Sequence, residues 1–361
     1  MSRTWNFAAG PAAMPEEVLL QAQTELLEWR DARASVMEIS HRGKAFMALT
    51  AEIEADLRAL AAIPAHYKVL FLQGGATLQF ALLAMNLAAP GQRADYVLSG
   101  HWSEKAAREA APYVEVQMAA DARASNYTAL PPRADWQLDA QSAYVHYTPN
   151  ETIHGLEFPD IPEVGSVPLV ADFSSSILSA PLDVARYGMI YAGAQKNIGP
   201  SGLTLLIVRE DLLARATRPM ASIFRYAEHA AHESMLNTPN TFGWYLAGLT
   251  FKWIARHGGL AAMAARNRRK ADTLYAAIDG SGGFYRNPVE PCARSRMNVP
   301  FFLHDAALDA RFLAGAEQAG LLALKGHRAL GGMRASLYNA MPQQGVDALV
   351  AFMSEFQRGH G

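Results

Sequence analysis

The chain has 361 residues, of which 50% are hydrophobic and 18% are charged, a balance typical of a globular protein with room for two domains. Its 34 acidic and 32 basic residues leave a net charge of −2, so no overall charge favours nucleic acid or an acidic membrane as a partner. A single cysteine, Cys292, excludes an intramolecular disulfide framework and suits a reducing compartment. Neither a secretory signal at the N-terminus nor an apolar run of membrane-spanning length is visible, so we expect a cytoplasmic protein.

Helices and apolar strands alternate along the first two thirds of the chain. Apolar residues at helical spacing predict one helix that begins at Pro15 and a second over 46–60, and further helices are predicted over 78–87 and from residue 100 onward. The predicted strands are short and mostly apolar, and they cover 67–72, 95–99, 113–118, 143–147, 167–171, 188–192 and 203–208. Because most of these strands are apolar on both faces, we predict an α/β fold with a mostly parallel sheet and helices on both sides.

The alternation of helices and apolar strands changes near residue 257. A long apolar helix over 242–256 ends at His257-Gly258-Gly259, and a helix over 260–278 follows. The basic residues of the second helix are predicted to face solvent; they are Arg266, Arg268, Arg269 and Lys270. Beyond this helix, strands at 298–303 and 332–338 alternate with helices at 306–319 and 345–356. We therefore predict an N-terminal segment (1–15), a large domain (16–257) and a smaller C-terminal α+β domain (258–361).

Residues suited to ligand binding follow several of the predicted strands. These residues are Gly74 with Gly75, Trp102, Thr152, Asp172 and Lys196. In open α/β sheets, ligands bind outside the carboxyl ends of the strands. Glycines before a helix leave backbone N–H groups free to bind an anion, although Gly-Gly pairs also occur in tight turns for conformational reasons alone. Packing does not explain the convergence of all these residues, so we predict a ligand site at this edge of the sheet.

Lys196 lies in a loop of small and turn-forming residues between the apolar strands 188–192 and 203–208. Desolvation at such a place disfavours the ammonium form and makes the amine available as a nucleophile, which Schiff-base chemistry requires. The alternative is a surface lysine in a glycine-rich hairpin. The loop by itself does not decide between the two.

Asp172 and Lys196 together indicate pyridoxal phosphate. This cofactor needs a lysine for the Schiff base, a carboxylate at the pyridine nitrogen, a platform for the ring and donors for the phosphate. Lys196 and Asp172 meet the first two requirements from successive strand ends. The remaining contacts are available from Ser174, Gln195, Thr152 and the turn 75–77.

Ordered motifs extend along the whole chain. They are 6–11, Met37-Glu38-Ile39-Ser40-His41-Arg42-Gly43, Pro149-Asn150-Glu151-Thr152-Ile153, 171–175, 191–199, Phe242-Gly243-Trp244-Tyr245, 295–299 and 325–336. With these motifs the chain resembles the phosphoserine aminotransferases, class-V enzymes of fold type I that depend on pyridoxal phosphate. The resemblance covers essentially the full length. It implies a large domain with a mostly parallel sheet flanked by helices, and a smaller C-terminal domain.

The resemblance also implies roles for residues at matching positions. Lys196 would form the Schiff base and then shuttle a proton at the substrate Cα, while Asp172 would pair with the pyridine nitrogen. Trp102 would stack on the ring, and Thr152 would hydrogen-bond the ring hydroxyl. The residues implied for the cofactor phosphate are Ala76, Thr77 and Gln195, together with Asn237 and Thr238 supplied by the second subunit.

Basic residues are implied for the substrates. Arg334 would hold the α-carboxylate of the amino acid. The distal phosphate or γ-carboxylate would be bound by His327 and Arg328, and by His41 and Arg42 of the second subunit. A planar guanidinium suits both kinds of anion. These roles imply a homodimer with shared active sites, although each His-Arg pair taken alone is also compatible with an ordinary surface pair.

The implied reaction is a ping-pong transfer of an amino group from L-glutamate to 3-phosphohydroxypyruvate. Its products are O-phospho-L-serine and 2-oxoglutarate, in serine biosynthesis. Some relatives also use 4-phosphohydroxythreonine, in pyridoxine biosynthesis. The chain departs from some relatives at Ala9, where they have a serine near the substrate, and at Thr77, where they have an arginine near the substrate phosphate. We therefore expect a pocket with less positive charge than in those relatives.

Other functions fit these residues less well. A cysteine desulfurase needs a reactive thiolate, and Cys292 shows no feature that would activate it. An aminotransferase for small neutral substrates would have no need of the basic residues. A non-enzymatic phosphate-binding module would not need Asp172 with Lys196, and the Lys196 loop lacks the Gly-Lys-Ser/Thr of a P-loop. No pair of histidines has the spacing of zinc ligands, so we predict no metal site.

Overall fold

The computed structural model describes residues 3–361, so the first two residues of the predicted N-terminal segment lie outside the description. The α-helices of the described range are α1 (Glu16–Thr24), α2 (Lys44–Ala61), α3 (Gly75–Leu87), α4 (His101–Ala110), α5 (Tyr226–Ala231), α6 (Thr241–Arg256), α7 (Gly259–Asp279), α8 (Asp309–Gln318) and α9 (Gln343–His360). Its strands are β1 (Trp5–Asn6), β2 (Tyr67–Leu72), β3 (Arg93–Leu98), β4 (Glu115–Asp121), β5 (Val145–Tyr147), β6 (Asn150–Glu151), β7 (Leu156–Glu157), β8 (Leu169–Asp172), β9 (Met189–Gly193), β10 (Thr204–Arg209), β11 (Tyr285–Arg286), β12 (Asn298–Leu303), β13 (Leu321–Leu322) and β14 (Met333–Ser336).

A seven-stranded sheet forms the centre of the fold, with the strand order β2-β10-β9-β8-β5-β3-β4. The pairs β3–β4, β3–β5, β5–β8 and β8–β9 are parallel, whereas β10 runs antiparallel to both of its neighbours. The connection from β9 to β10 is too short for the crossover that a parallel pair needs, so β10 has to reverse direction. The prediction of a mostly parallel sheet flanked by helices is confirmed.

Alternate residues of the central strands pack into two separate cores, one on each face of the sheet. In β9, Ile190 and Ala192 belong to the core that α2 and α6 cover, whereas Met189 and Tyr191 belong to the core that α3 and α4 cover. Successive side chains of a strand point to opposite faces, so a strand that is buried on both faces must be apolar throughout. This requirement explains the continuous apolar runs in the sequence.

The carboxyl ends of β2, β3, β5, β8 and β9 lie at one edge of the central sheet. β2 belongs to this set because it is antiparallel to β10, which is itself antiparallel to β9. The segments that follow these five ends carry the residues predicted for the ligand site. The sheet topology therefore brings those segments together at one edge.

A second sheet, with the order β11-β12-β14, lies in the C-terminal part of the chain and is antiparallel. It packs with α7, α8 and α9 around a third core that includes Phe301 and Phe312. Helix α7 contributes to two cores, since Leu260 and Met263 pack in the core of α2 and α6 while Leu274 packs in the third. Strand β1 pairs with β13, so the N-terminal segment joins this part. The domain boundaries at residues 15 and 257 stay predictions.

The prediction that the basic residues of α7 face solvent is wrong for Lys270, which is 2% exposed. Its Nζ donates hydrogen bonds to the carbonyl oxygens of Leu337 and Tyr338, both at 2.7 Å. Burial lowers the pKa of Lys270 to about 7. Helical spacing puts residue 270 on the same stripe as the buried Met263 and Leu274. The three arginines of the same run are exposed, as predicted.

We expect Lys270→Met to destabilise the fold, because the buried carbonyl oxygens of Leu337 and Tyr338 would lose their donors. The cost of leaving buried acceptors unsatisfied is about 1–3 kcal/mol. Thermal unfolding followed by circular dichroism measures the change. Arg268→Met, on the exposed side of the same helix, is the matched control and should change stability by less than about 0.5 kcal/mol. Equal midpoints for the two variants would contradict this account of Lys270.

Candidate active site

A cavity of about 330 Å³ opens at the carboxyl edge of the central sheet. Its volume is within the usual range for small-molecule sites. Nine of the predicted site residues line it: Ala76, Thr77, Trp102, Thr152, Asp172, Gln195, Lys196, His327 and Arg334. They come from the segments after five strands of the central sheet and from the C-terminal part of the chain. Residues that are far apart in the sequence therefore meet in one cavity.

Lys196 lies in the turn that leads from β9 into β10. Its Nζ donates a hydrogen bond to Thr152 Oγ1 at 2.8 Å and lies 5.9 Å from the centre of the Trp102 ring. Burial lowers the pKa of Lys196 to about 8; the Asp172 carboxylate opposes this shift, and the charge of Arg334 adds to it. At neutral pH the neutral amine is therefore far more abundant than for an ordinary lysine. Lys196 is half-buried and lines a cavity, which does not favour the alternative of a surface lysine.

Asp172 is the last residue of β8 and is 5% exposed. Its Oδ1 accepts a hydrogen bond from the Ser174 N–H at 2.9 Å. Burial raises the pKa of Asp172, and the bonds to Ser174 and the charge of Lys196 oppose this shift. Within residues 3–361, none of the salt bridges includes this carboxylate. A buried carboxylate that forms no salt bridge is costly, so Asp172 is suited to a cationic group of a ligand.

The turn after β2 has a shape suited to an anion. Gly74 has a φ of 95°, and a Cβ at this position would collide with the Leu78 side chain, so the turn requires glycine. Helix α3 begins directly after this turn. The backbone N–H groups of its first residues, 75–77, have no intrahelical acceptor and are free to bind an anion.

Arg334 and His327 reach the cavity from the C-terminal part of the chain. The Nε of Arg334, on β14, is buried and has no hydrogen-bond partner among the described residues, and burial lowers the pKa of this guanidinium. The His327 ring lies 5.7 Å from the ring of His101. Burial lowers the pKa of His327, and the charges of His101, Arg334 and Arg328 lower it further. Mutual repulsion among these groups makes this side of the cavity suited to an anion.

Five predicted site residues do not line the cavity of this chain: His41, Arg42, Asn237, Thr238 and Arg328. Arg42 is exposed, and its Nε–H donates to His41 Nε2 at 3.3 Å. Asn237 and Thr238 are exposed beside Gln73, whose Nε2 donates to the Thr238 carbonyl oxygen at 3.1 Å. Arg328 is exposed next to His327. The binding roles of all the predicted site residues stay predictions.

The sequence analysis missed three residues that lie next to lining residues of the cavity, although none of the three lines it. His101 and Lys105 are four residues apart on α4, so they project on the same side of the helix. Lys105 Nζ lies 3.5 Å from Thr77 Oγ1, and a positive charge therefore does lie beside Thr77. Glu151 is 0% exposed and accepts hydrogen bonds from α4. Its place beside Thr152 in a matched motif was the available signal.

The family model for aminotransferase class-V matches residues 4–349. The chain belongs to the class-V aminotransferases. The resemblance predicted from the sequence motifs is confirmed. Among curated class-V aminotransferases, a protein of Stenotrophomonas maltophilia (strain R551-3), named phosphoserine aminotransferase, is 63% identical over 361 residues, which is 100% of both chains.

Solved structures of class-V aminotransferases share the fold over nearly the full length. The phosphoserine aminotransferase of Bacillus circulans subsp. alkalophilus has a TM-score of 0.98 at 48% identity and covers 99% of both chains. A PLP-bound phosphoserine aminotransferase from Trichomonas vaginalis has a TM-score of 0.93 at 42% identity, over 98% of this chain and 100% of that chain.

Cys292 lies in a short 3-10 helix, Pro291–Ala293, where it is exposed and does not line the cavity. A class-V desulfurase would need a thiol at the site, so the position of Cys292 does not favour that alternative. In the described range, none of the helices is long and apolar enough to cross a membrane.

The pKa of Lys196 in the ligand-free protein should respond in opposite directions to two substitutions. Asp172→Asn removes a negative charge that favours the ammonium, so the pKa should fall below about 8, whereas Arg334→Met removes a positive charge and should raise it. The rate of reductive methylation of Lys196 as a function of pH, followed by mass spectrometry of its peptide, reports the pKa.

The control for this measurement is Asp135→Asn, a substitution of an exposed carboxylate outside the cavity lining, which should leave the profile unchanged. Shifts of the same sign for Asp172→Asn and Arg334→Met would contradict the electrostatic account.

Proposed function

We propose that the chain is a phosphoserine aminotransferase that uses pyridoxal phosphate. It transfers the amino group of L-glutamate to 3-phosphohydroxypyruvate and gives O-phospho-L-serine and 2-oxoglutarate, a step of serine biosynthesis. The observation that carries this proposal is the 63% identity, over the whole length, to a curated phosphoserine aminotransferase. The pair of Lys196 and Asp172 in one cavity agrees with this chemistry.

The residues of the cavity fit pyridoxal phosphate. Lys196 offers a desolvated amine for the aldehyde of the cofactor. Asp172 is a buried carboxylate, suited to a protonated ring nitrogen. The free N–H groups of 75–77 suit the phosphate. The Nε1 of Trp102 is buried without a hydrogen-bond partner in the described part of the chain. This N–H group is therefore also available to donate to a ligand.

Pyridoxal phosphate, when bound, supplies the carbonyl that carries the amino group between the two substrates and a ring that accepts the electrons of the Cα–H bond. Lys196 provides the neutral amine that acts as nucleophile, and the same amine moves the proton at Cα. Thr152 Oγ1 orients this amine by accepting its hydrogen bond. Asp172 holds a proton at the ring nitrogen, because its carboxylate stabilises the cationic form.

The basic residues suit two anionic substrates. Arg334 is suited to the α-carboxylate, since its guanidinium lines the cavity and its Nε lacks a partner among residues 3–361. His327 and Arg328 are suited to the distal anion. Phosphate and carboxylate both present oxygens that a guanidinium fork can bind, so one pocket accepts the phosphate of phosphoserine and the γ-carboxylate of glutamate. Lys105 adds positive charge near Thr77.

We extend the proposal to a homodimer in which each chain completes the site of the other with His41, Arg42, Asn237 and Thr238. These residues do not line the cavity of their own chain. Exposed apolar side chains precede both pairs in the sequence: Leu27 and Met37 precede His41, and Ile223 and Phe224 precede Asn237. Exposed large apolar groups are common at interfaces. A cytoplasmic location belongs to the same proposal and is supported by the free thiol of Cys292.

A panel of substrates tests the proposed function. With glutamate as donor, the protein loaded with pyridoxal phosphate should prefer 3-phosphohydroxypyruvate to pyruvate, glyoxylate and oxaloacetate. We expect a preference over pyruvate of about ten- to hundredfold in kcat/KM, because charged hydrogen bonds to the phosphate contribute roughly 1.5–3 kcal/mol. Lys196→Ala should lose both the activity and the visible absorbance of lysine-bound cofactor. A preference for pyruvate would favour an aminotransferase of small substrates, and 4-phosphohydroxythreonine as a donor tests the second substrate.

Hybrid dimers test the shared site. In a dimer of one Lys196→Ala chain and one Arg42→Ala chain, an Arg42 that serves the opposite chain leaves one site intact. The purified hybrid should then have about half the wild-type activity at low phosphorylated substrate, as a hybrid of Lys196→Ala with wild type does. If Arg42 served its own chain, neither site would be intact, and the raised KM of the Arg42→Ala homodimer would persist in the hybrid.

A further inference from the structure

Glu151 is buried beside the cavity but has no role in the proposed function. It is the second residue of β6, in the hairpin that β6 forms with β7, and its side chain is 0% exposed. Burial raises the pKa of its carboxyl group to about 7. A buried acid is costly unless its hydrogen bonds are satisfied, so its partners indicate what it does.

The Glu151 carboxylate caps the N-terminus of α4. Its Oε1 accepts from the Ser103 N–H and hydroxyl, both at 2.8 Å, and its Oε2 accepts from the Trp102 N–H at 3.0 Å. These N–H groups belong to the first turn of the helix and have no intrahelical acceptor, and the helix dipole favours a negative charge there. Gly100 makes room for the contact, since a Cβ at this position would lie 2.5 Å from Glu151 Cδ. A distant part of the chain therefore caps this helix.

Glu151 also connects two walls of the cavity. Its bond to the Trp102 N–H fixes the first turn of α4, which carries the Trp102 ring. Its neighbour Thr152 accepts the hydrogen bond of Lys196 Nζ at 2.8 Å, and this Nζ lies 5.9 Å from the centre of the Trp102 ring. Two consecutive residues at the end of β6 thus hold the two groups: Glu151 holds the helix turn that carries the ring platform, and Thr152 accepts the hydrogen bond of the reactive amine.

We propose that Glu151 is a positioning residue for the cofactor ring: through Trp102 and Ser103 it sets the width of the slot between the Trp102 ring and Lys196. The inference rests on the proposed function for the identity of that ring. Glu151 acts through the backbone of α4 and needs no contact with the ring. Loss of the cap would let the first turn of α4 move, because its N–H groups would have no buried acceptor.

The substitution that tests this role is Glu151→Gln, which keeps the shape of the side chain. Because the charge of Glu151 also raises the pKa of Lys196, its result is compared with that of Ser103→Ala, which leaves this charge in place. An amide has one acceptor oxygen and one NH₂ donor, so either the Trp102 N–H or the Ser103 N–H would face a donor. In cofactor-free protein, we expect faster hydrogen exchange in the peptide 99–106. With pyridoxal phosphate, we expect the Kd of the cofactor to rise about tenfold or more and the visible circular dichroism of the bound cofactor to change.

The matched control is Glu157→Gln, in the same hairpin. Glu157 is 7% exposed, and its carboxylate accepts hydrogen bonds from the backbone N–H and guanidinium of Arg296 without lining the cavity. It should lower the thermal midpoint and leave exchange in 99–106, the Kd of the cofactor and the visible circular dichroism unchanged. If Glu151→Gln gives the same pattern as Glu157→Gln, the role in positioning is overturned.

A second variant keeps the test decisive if Glu151→Gln does not fold. Ser103→Ala removes one donor of the same contact and should give smaller changes of the same sign in exchange and in visible circular dichroism; no change in either would overturn the proposal.

A failure of the proposed function can be told apart from a failure of this inference, since wild-type protein would then show no visible band with pyridoxal phosphate. Faster exchange without any change in the cofactor signals would overturn only the role toward the ring.

Discussion

The site depends on the burial of Lys196 beside Asp172 at the carboxyl edge of the central sheet. Burial disfavours the charged form of each group, lowering the pKa of Lys196 and raising that of Asp172, while the charge of each opposes the shift of the other. Such a pair adds little stability, because desolvation offsets most of the attraction between the charges. The pair is therefore accounted for by its reactivity. The free energy that keeps it buried has to come from the hydrophobic cores around it.

The central sheet supplies this stability through the order of its strands and the helices that cover them. The central strands, which are apolar on both faces, are covered by helices on both sides, and this covering excludes water from both faces of these strands. The carboxyl ends of β2, β3, β5, β8 and β9 lie at one edge of this sheet, and its single antiparallel strand, β10, keeps the turn of Lys196 short. A loop of this kind has little freedom, so the amine has a defined position relative to Thr152 and Trp102.

Buried polar contacts hold the C-terminal part of the chain against this edge. The Asn339 N–H donates to Asn197 Oδ1 at 3.0 Å, directly after Lys196, and the Tyr338 hydroxyl donates to the Ala9 carbonyl oxygen at 2.9 Å. Lys270 binds the carbonyl oxygens of the same segment from α7. Because Arg334 lies just before this segment, the contacts that fix 337–339 also fix the distance between the basic residues and Lys196. In the same way, Glu151 holds the first turn of α4 by accepting hydrogen bonds from the Trp102 and Ser103 N–H groups.

The sequence by itself determined the type of sheet, the residues at its carboxyl edge and the family, because strand periodicity, glycine turns and motif order are local properties of the chain. The strand predicted over 67–72 has these bounds in the structure. The strand predicted over 113–118 instead covers 115–121; it is an edge strand, which pairs with a neighbour on one side only. Only the tertiary structure decided that Lys270 is buried, that Lys105 lies beside Thr77, and that Glu151 caps a helix 48 residues earlier. Two-residue strands such as β6 and β7 are likewise decided by the tertiary structure. These features arise from which elements pack together, and contacts between distant segments leave no periodic signal in the sequence.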